Sequence, residues 1–495
     1  MPADLRPIFK AYDVRGIYPD QFDDEAAGHI GRAFARWIDA PKIVLGRDVR
    51  LSSPALAAAF AEGVTAEGVG VIELGLTTTD MVYFASGRRA LPGAMFTASH
   101  NPPQYNGLKL CRSGAAPVGE ETGLQQIREM AEGMPATGSP TPPAMSKGRV
   151  EQADILEEYL AHLLTFADVE GLQPLTVAAD AANGMAGLVV PALFERLPMK
   201  LVPLYMELDG TFPNHPADPI QPENQADLRD AVTEHGADLG LAFDGDADRA
   251  FFVDELAQGV SGSLITALVA KGMLDRNPGA TILYNLICSH VVPEVVRENG
   301  GNPIRTRVGH SFIKAIMAET NAVFGGEHSG HYYFRDHYNA DSGLVASMVV
   351  MDRMSKAGLS LSELLAPLRR YVDSGEINTE VEDQRAAVER IASAYAEGRQ
   401  DREDGLTVEY DDWWFNVRPS NTEPLLRLNV EARTLHLEVA EEELARRRST
   451  WRSPTRPVPG GYVQLYVDHV EQADTGADFD FLIGCRGHQI ARESH

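Results

Sequence analysis

Cysteine is scarce in this chain: Cys111, Cys288 and Cys485 are the only three among 495 residues. Too few, too scattered and odd in number, they exclude a disulfide framework and a zinc-finger pattern. Long apolar runs are missing too, and no stretch is long enough to suggest a bilayer-spanning helix. Basic residues are outnumbered, with 44 Lys and Arg against 71 Asp and Glu, for a formal net charge of −27. Such a body repels polyanions, which argues against nucleic acid or an anionic membrane as its main partner. An anionic small-molecule ligand would need a local basic island within it. The opening, Met1 to Lys10, is charged and broken by proline, unlike a signal peptide. A soluble cytoplasmic protein is the expectation, as a monomer or homodimer.

What is present is ample core material. At 44% hydrophobic, the length supports three or four domains. Phe9 to Gly16 reads on its own as a surface arm with an Arg–Asp pair. Next come a helix over Glu25 to Ile38, a buried strand from Lys42, an alanine-rich helix over Pro54 to Gly68, and strands over Val69 to Leu74 and Gly93 to Phe96. Strands alternating with helices predict an α/β domain with a largely parallel sheet. The pattern recurs from Leu175, closing on Leu239 to Phe243, and again from Thr281, closing on Ala322 to Phe324. Breaks rich in small and polar residues fall at Ala131 to Arg149 and around Val372 to Ile377. A fourth unit of different character follows, with a polar helix over Gln384 to Glu397 and strands near 406–410, 413–417 and 425–431. The expected division is 1–145, 146–255, 256–371 and 372–445, with a tail, 446–495, of uncertain order.

Each closing strand runs into a polar, glycine-bearing loop, and strand carboxyl ends are where open α/β sheets bind ligands. The first loop, Thr97-Ala98-Ser99-His100-Asn101-Pro102, puts a serine on a proline-stiffened segment. It suits either a self-bonded turn or a hydroxyl that carries a transferable group. The second places Asp244, Asp246 and Asp248 two residues apart. In extended backbone such residues share a face, so their carboxylates would converge and demand a hard cation, Mg²⁺ or Ca²⁺. Glu255 falls at the twelfth position of an EF-hand count, but Arg249 stands where that loop needs glycine, and strand-like flanks exclude the motif. Arg249 would set a phosphate-binding cation beside the metal. The third loop, Gly325 to His331, carries Glu327, Ser329 and His331, groups able to read sugar hydroxyls. A fourth, Arg418-Pro419-Ser420-Asn421-Thr422, supplies a guanidinium fork and small donors suited to a phosphate dianion.

As a set these four motifs resemble the α-D-phosphohexomutase family, in its phosphomannomutase/phosphoglucomutase branch, from Phe9 to about Arg433. The resemblance implies three related mixed α/β domains plus a C-terminal α+β domain around a central cleft. It implies Ser99 as a phosphoserine that completes, with Asp244, Asp246 and Asp248, a Mg²⁺ site. Glu327 and Ser329 would read the sugar, and Arg418, Ser420, Asn421 and Thr422 would grip the distal phosphate. Tyr12, Arg15, Lys109, Arg249, His310 and His331 match cleft-lining positions. The implied reaction exchanges mannose 6-phosphate with mannose 1-phosphate, and the glucose pair, through a hexose 1,6-bisphosphate. Lys109, His100 and His331 are all eligible as its general base.

Two other readings share these motifs: a glucosamine- or acetylglucosamine-phosphate mutase, and a phosphosugar-binding regulator without turnover. Thr97 and the Glu-His-Ser-Gly-His run look more like the hexose enzymes. The intact serine, aspartates and Arg418 loop argue against the regulator. One departure is Ile287, where some bacterial members carry lysine.

Overall fold

Ile43, Val44, Leu45 and Gly46 are buried in succession within the strand Lys42–Arg47. Burial on both faces is what the interior of a parallel sheet requires, and a computed structural model of the chain places this strand there. It describes residues 4–134, 147–381, 383–420 and 425–433, together with the short strand pair Tyr466–Val467 and Ile483–Gly484. The first sheet runs in the order Val14–Ile17, Tyr105–Arg112, Gly93–Phe96, Lys42–Arg47, Gly70–Leu76, Val150–Gln152. The last four are mutually parallel, whereas Tyr105–Arg112 is antiparallel to both of its neighbours.

Two more sheets repeat the plan. Thr176–Asp180, Lys200–Leu204 and Leu239–Phe243 are parallel, and Ala250–Asp254 returns antiparallel. Thr281–Asn285, Asn302–Thr306 and Phe324–Gly326 are parallel, and Tyr332–Phe334 returns antiparallel. In all three, the closing parallel strand turns back through a short loop into an antiparallel partner. The three polar loops noted in the sequence are these three reversals.

These sheets belong to one compact unit, which runs through Cys288 and resumes from Val292 to Leu368. A second unit takes Ser289–Val291 and the chain from Arg369. Its sheet is wholly antiparallel, ordered Tyr371–Glu380, Leu425–Arg433, Trp413–Pro419, Leu406–Glu409, Arg399–Asp401. The helix Gln384–Ala394 presents Val388 and Ile391 to Leu406, Val408, Phe415 and Leu428. Among the described residues no helix is long and apolar enough to cross a membrane. Cys111 and Cys288 are buried free thiols.

Three expectations are corrected. Phe9 to Gly16 is no arm, because Val14–Ile17 pairs residue for residue with Tyr105–Arg112. Its partner lies some ninety residues away and it is only four residues long, so no local period marks it. The break around Val372 to Ile377 is likewise a strand, Tyr371–Glu380, with a bulge between Asp373 and Glu376. The Ser374-Gly375 pair that reads as a linker is that bulge, Gly375 taking φ +65° where a side chain would be strained. The polar helix of this unit stops at Ala394 rather than Glu397. The tail from 446 lies outside the described residues apart from the short strand pair.

Candidate active site

The serine loop is fixed by an arginine that the motif reading passed over. Arg50 is fully buried, and its guanidinium donates to four backbone carbonyls of the loop. Nη2 reaches Ser99 O at 2.7 Å and Asn101 O at 2.6 Å, while Nη1 reaches Pro102 O at 2.7 Å and Tyr105 O at 3.0 Å. Asp48 pairs with Arg50 Nε at 3.1 Å and also accepts from the Ser53 hydroxyl at 2.6 Å. Burial lowers the Arg50 pKa and raises that of Asp48, the cost of placing this pair inside. Under this clamp Ser99 adopts φ +49°, a left-handed conformation unusual for a side-chain-bearing residue. Its own N–H donates to Thr97 Oγ1 at 2.9 Å. Rather than protruding into solvent, Ser99 is 5% exposed.

Ser99 Oγ donates to Asp244 Oδ2 at 2.6 Å, across 145 positions of sequence. This approach needs Gly245, where a Cβ would lie 2.4 Å from the Ser99 carbonyl oxygen. The aspartates converge as expected, one carboxylate oxygen from each lying within 4.8 Å of the others. The backbone reason differs from the expected one. The segment is a tight turn in which Ala247 N donates to Asp244 O at 3.1 Å and Ala247 takes φ +60°, so it is not extended. Glu255 accepts from Ser362 N at 3.2 Å, well occupied outside any calcium loop.

The triplet's surroundings fit a divalent cation. Asp246 Oδ1 and Asp248 Oδ1 are buried without a hydrogen-bond donor, and an all-oxygen donor set suits Mg²⁺. Lys109 Nζ meets Asp246 Oδ2 at 2.8 Å and Asp248 Oδ2 at 2.5 Å, and Thr79 Oγ1 donates to Asp246 Oδ2 at 2.6 Å. Arg249 Nε donates to Asp244 Oδ2 at 3.0 Å. Two cations against three carboxylates leave negative charge for a metal to neutralise. Burial, only partly offset by Arg249, raises the Asp244 pKa well above the ordinary carboxylate range. Burial acts on Asp246 too, but Lys109 outweighs it and holds this carboxyl far below that range. The same two carboxylates, Asp246 and Asp248, hold Lys109 strongly protonated despite its burial.

Arg249 Nη2 also lies 3.3 Å from Ser99 Oγ and 2.5 Å from His100 Nδ1. Burial and the positive charges of Arg249 and Arg15 push the His100 pKa well below its ordinary value, so the ring is neutral at pH 7. Arg15 Nη1 donates to Asn101 Oδ1 at 2.5 Å, tying the opening strand to the serine loop. Tyr12 OH donates to Val308 O at 3.3 Å. From the third loop, His331 Nε2 stands 3.9 Å from Asp248 Oδ1, and His331 Nδ1 is 3.1 Å from Ser329 Oγ. Glu327 is 2% exposed, accepting from Tyr333 OH at 2.5 Å and Asn285 Nδ2 at 2.9 Å. Each carboxylate oxygen retains a second lone pair.

Ser99, His100, Lys109, the three aspartates, Arg249 and His331 thus gather in one place. Arg418 and Ser420 belong to the other unit, where Arg418 Nη2 donates to Glu376 Oε2 at 2.9 Å and Ser420 N to Leu425 O at 2.8 Å. Asn421, Thr422 and the side chain of His310 lie outside the described residues. Sequence reading missed Arg50, Thr79, Tyr333 and Asn285. Only Arg50 left a trace, in the polar segment Arg47-Asp48-Val49-Arg50 that follows a buried strand.

A hydroxyl aimed at a carboxylate cage and flanked by arginine and lysine can hold a divalent cation next to an anionic group. Family models described as phosphoglucomutase/phosphomannomutase α/β/α domains I, II and III match residues 6–135, 157–259 and 261–371, and that of the C-terminal domain matches 376–445. The chain belongs to the phosphoglucomutase/phosphomannomutase family. A protein of Xanthomonas campestris pv. campestris named phosphohexose mutases is 43% identical over 432 residues, covering 86% of this chain and 95% of that one. The phosphomannomutase of Salmonella montevideo is 41% identical over 434 residues, covering 86% and 94%. A crystal structure of a phosphoglucomutase/phosphomannomutase family protein from Burkholderia thailandensis superposes with a TM-score of 0.80 at 33% identity, covering 90% of this chain and 97% of that one.

Proposed function

We propose that this mutase interconverts mannose 6-phosphate and mannose 1-phosphate, and the corresponding glucose phosphates, with Ser99 as the phosphoryl carrier. The observation that carries the reading is the 2.6 Å contact of Ser99 Oγ with Asp244 Oδ2 inside a caged, cation-flanked pocket. Phosphomannomutase relatives near 40% identity favour mannose phosphate over a hexosamine phosphate.

Phosphoryl transfer needs positioning and charge stabilisation more than covalent chemistry. Asp244, Asp246 and Asp248 would hold Mg²⁺, which supplies charge neutralisation on the transferring oxygens. Arg249, 3.3 Å from Ser99 Oγ, is placed to bind the phosphoryl oxygens of phospho-Ser99. A sugar hydroxyl attacks that phosphorus, the bond to Ser99 Oγ breaks, and the hydroxyl proton leaves to a base. His331 suits that role best. Lys109 is held as a cation, and His100 Nδ1 already faces the Arg249 guanidinium. His331 is a half-buried imidazole beside the cage. The hexose 1,6-bisphosphate then returns its other phosphate to Ser99. Glu327 and Ser329 read adjacent sugar hydroxyls, and on the C-terminal unit the Arg418 guanidinium is suited to a phosphate. Tyr12 and Arg15 complete the lining.

Side-by-side kcat/KM values for mannose, glucose and glucosamine phosphates test the assignment. The hexose pairs should exceed the hexosamine by at least tenfold, and the reverse order would overturn the substrate class.

A further inference from the structure

Beside the aspartate cage lies a second convergence of ligand atoms with a different chemical character. Asp248 Oδ1, His331 Nε2 and one oxygen of Asp341 all fall within 4.8 Å of one another. His331 Nε2 is 3.9 Å from Asp248 Oδ1 and 3.9 Å from Asp341 Oδ2. Asp248 is 2% exposed, and its Oδ1, the oxygen facing His331, is buried without a hydrogen-bond donor. The ammonium groups nearby engage the opposite oxygens: Lys109 takes Asp248 Oδ2 at 2.5 Å, and Lys314 lies 2.7 Å from Asp341 Oδ1. His331 Nδ1 is held by Ser329 Oγ at 3.1 Å, which leaves Nε2 as the nitrogen directed at the two carboxylates.

We propose that Asp248, His331 and Asp341 form a second divalent-cation site that takes Zn²⁺ in preference to Mg²⁺ and shares Asp248 with the cage. An imidazole with two carboxylates is a borderline donor set, well matched to zinc, whereas Mg²⁺ favours oxygen ligands. Three protein ligands with a fourth position open is the usual stoichiometry of a reactive or exchangeable zinc site. Bonds of about 2.0–2.1 Å give tetrahedral edges of roughly 3.3 Å, so the 3.9 Å separations must close by about half an ångström. Adjustment of the half-buried His331 shortens these two distances, and the Asp248–Asp341 separation, within 4.8 Å, has to close along with them. The alternative occupant of the gap is a proton: an imidazolium bridging the two carboxylates without any metal.

Zinc held here would occupy the nitrogen that accepts the sugar proton, so Mg²⁺-saturated enzyme would be inhibited. That consequence rests on the proposed role of His331, whereas the binding does not.

The test is Zn²⁺ binding to the full-length protein, stripped of metal and then saturated with Mg²⁺, read by equilibrium dialysis and calorimetry. One zinc equivalent should bind to the wild type. It should be lost, or weakened at least tenfold, in Asp341→Asn and in His331→Gln. His331→Gln changes a half-buried side chain and decides the matter if Asp341→Asn does not fold. No zinc bound over Mg²⁺, or zinc retained at full affinity by His331→Gln, would overturn the site and favour the imidazolium. Zinc bound as expected with turnover unchanged would leave the site standing and remove His331 as the base.

Discussion

The Arg50 guanidinium donates to the Ser99 carbonyl oxygen at 2.7 Å, so the backbone of the proposed phosphoryl carrier is held by a side chain forty-nine positions earlier. Three further carbonyls of the same loop converge on that one group. The left-handed φ of Ser99 therefore has an identifiable restraint.

Replacing this arginine separates loop geometry from binding. Arg50→Met strands the buried Asp48 carboxylate and should cost about 3–5 kcal/mol of stability, the usual penalty for breaking a buried pair. Arg50→Lys keeps the charge but loses the fork, and should lower kcat by about 10²-fold, as misplacement of a reacting group does. KM should change much less, because the loops proposed to read the substrate are not touched. Denaturant melts and steady-state kinetics read the two effects. A KM rise with kcat unchanged would contradict the positioning role.

Asp246 bears on the cation. Asp246→Asn removes one cage charge and leaves Lys109 with a single carboxylate partner, Asp248. Half-maximal activation should need about tenfold more Mg²⁺, and kcat should fall by about 10²–10³-fold, the size expected for lost electrostatic stabilisation. An activation curve superposing on that of the wild type would remove the aspartates from metal binding.

The C-terminal unit supplies a separate handle. Arg418 and Arg427 share the Glu376 carboxylate, at 2.9 and 3.1 Å. If Arg418 grips the distal phosphate, Arg418→Ala should raise KM by about 10–100-fold, matching the 1.5–3 kcal/mol of a charged hydrogen bond. Melting temperature should fall only modestly, because Glu376 keeps Arg427 as a partner at 3.1 Å once Arg418 is gone. An unchanged KM would remove this loop from substrate binding.

A half-buried histidine paired with a buried one gives a pH signature distinct from catalysis. His162 Nε2 lies 3.0 Å from His337 Nδ1, with Phe84 and Phe166 packed against the His162 ring. Burial lowers the His162 pKa to about 4. Because the folded-state value lies below the unfolded one, the unfolded chain takes up the proton first as pH falls. His162 thus supports the fold fully above about pH 6.5, and that support is lost progressively down to about pH 4. His162→Gln keeps a polar side chain without the titration. The drop in melting temperature between pH 7 and pH 4 should be smaller in this variant. An identical drop would show that His162 does not titrate differently in the two states.

How much of this was legible in the sequence varied with the range of the interaction. Strands buried on both faces, such as Gly93–Phe96 and Leu239–Phe243, declare themselves by composition, and so do the reversals that follow them. The short strand Val14–Ile17 does not, because its pairing depends on Tyr105–Arg112. At Ser374-Gly375 the chemistry of a bulge is the chemistry of a linker, and only the paired register tells them apart. The aspartate convergence was foreseen for a reason that failed: alternate residues share a face in a strand, but here a turn through Ala247 brings them together. Arg50 could not be assigned, because its acceptors are carbonyls with no sequence signature.

The central claim, that Ser99 carries the phosphoryl group, is tested most directly by following the phosphate. Incubation with hexose 1,6-bisphosphate labelled in its phosphates, then peptide mapping, should place the label on the Ser99 peptide. A chase with mannose 6-phosphate should release it at least as fast as turnover, and Ser99→Ala should neither take up label nor turn over above about 10⁻³ of the wild-type rate. Label on another residue, or near-normal turnover by Ser99→Ala, would contradict the account.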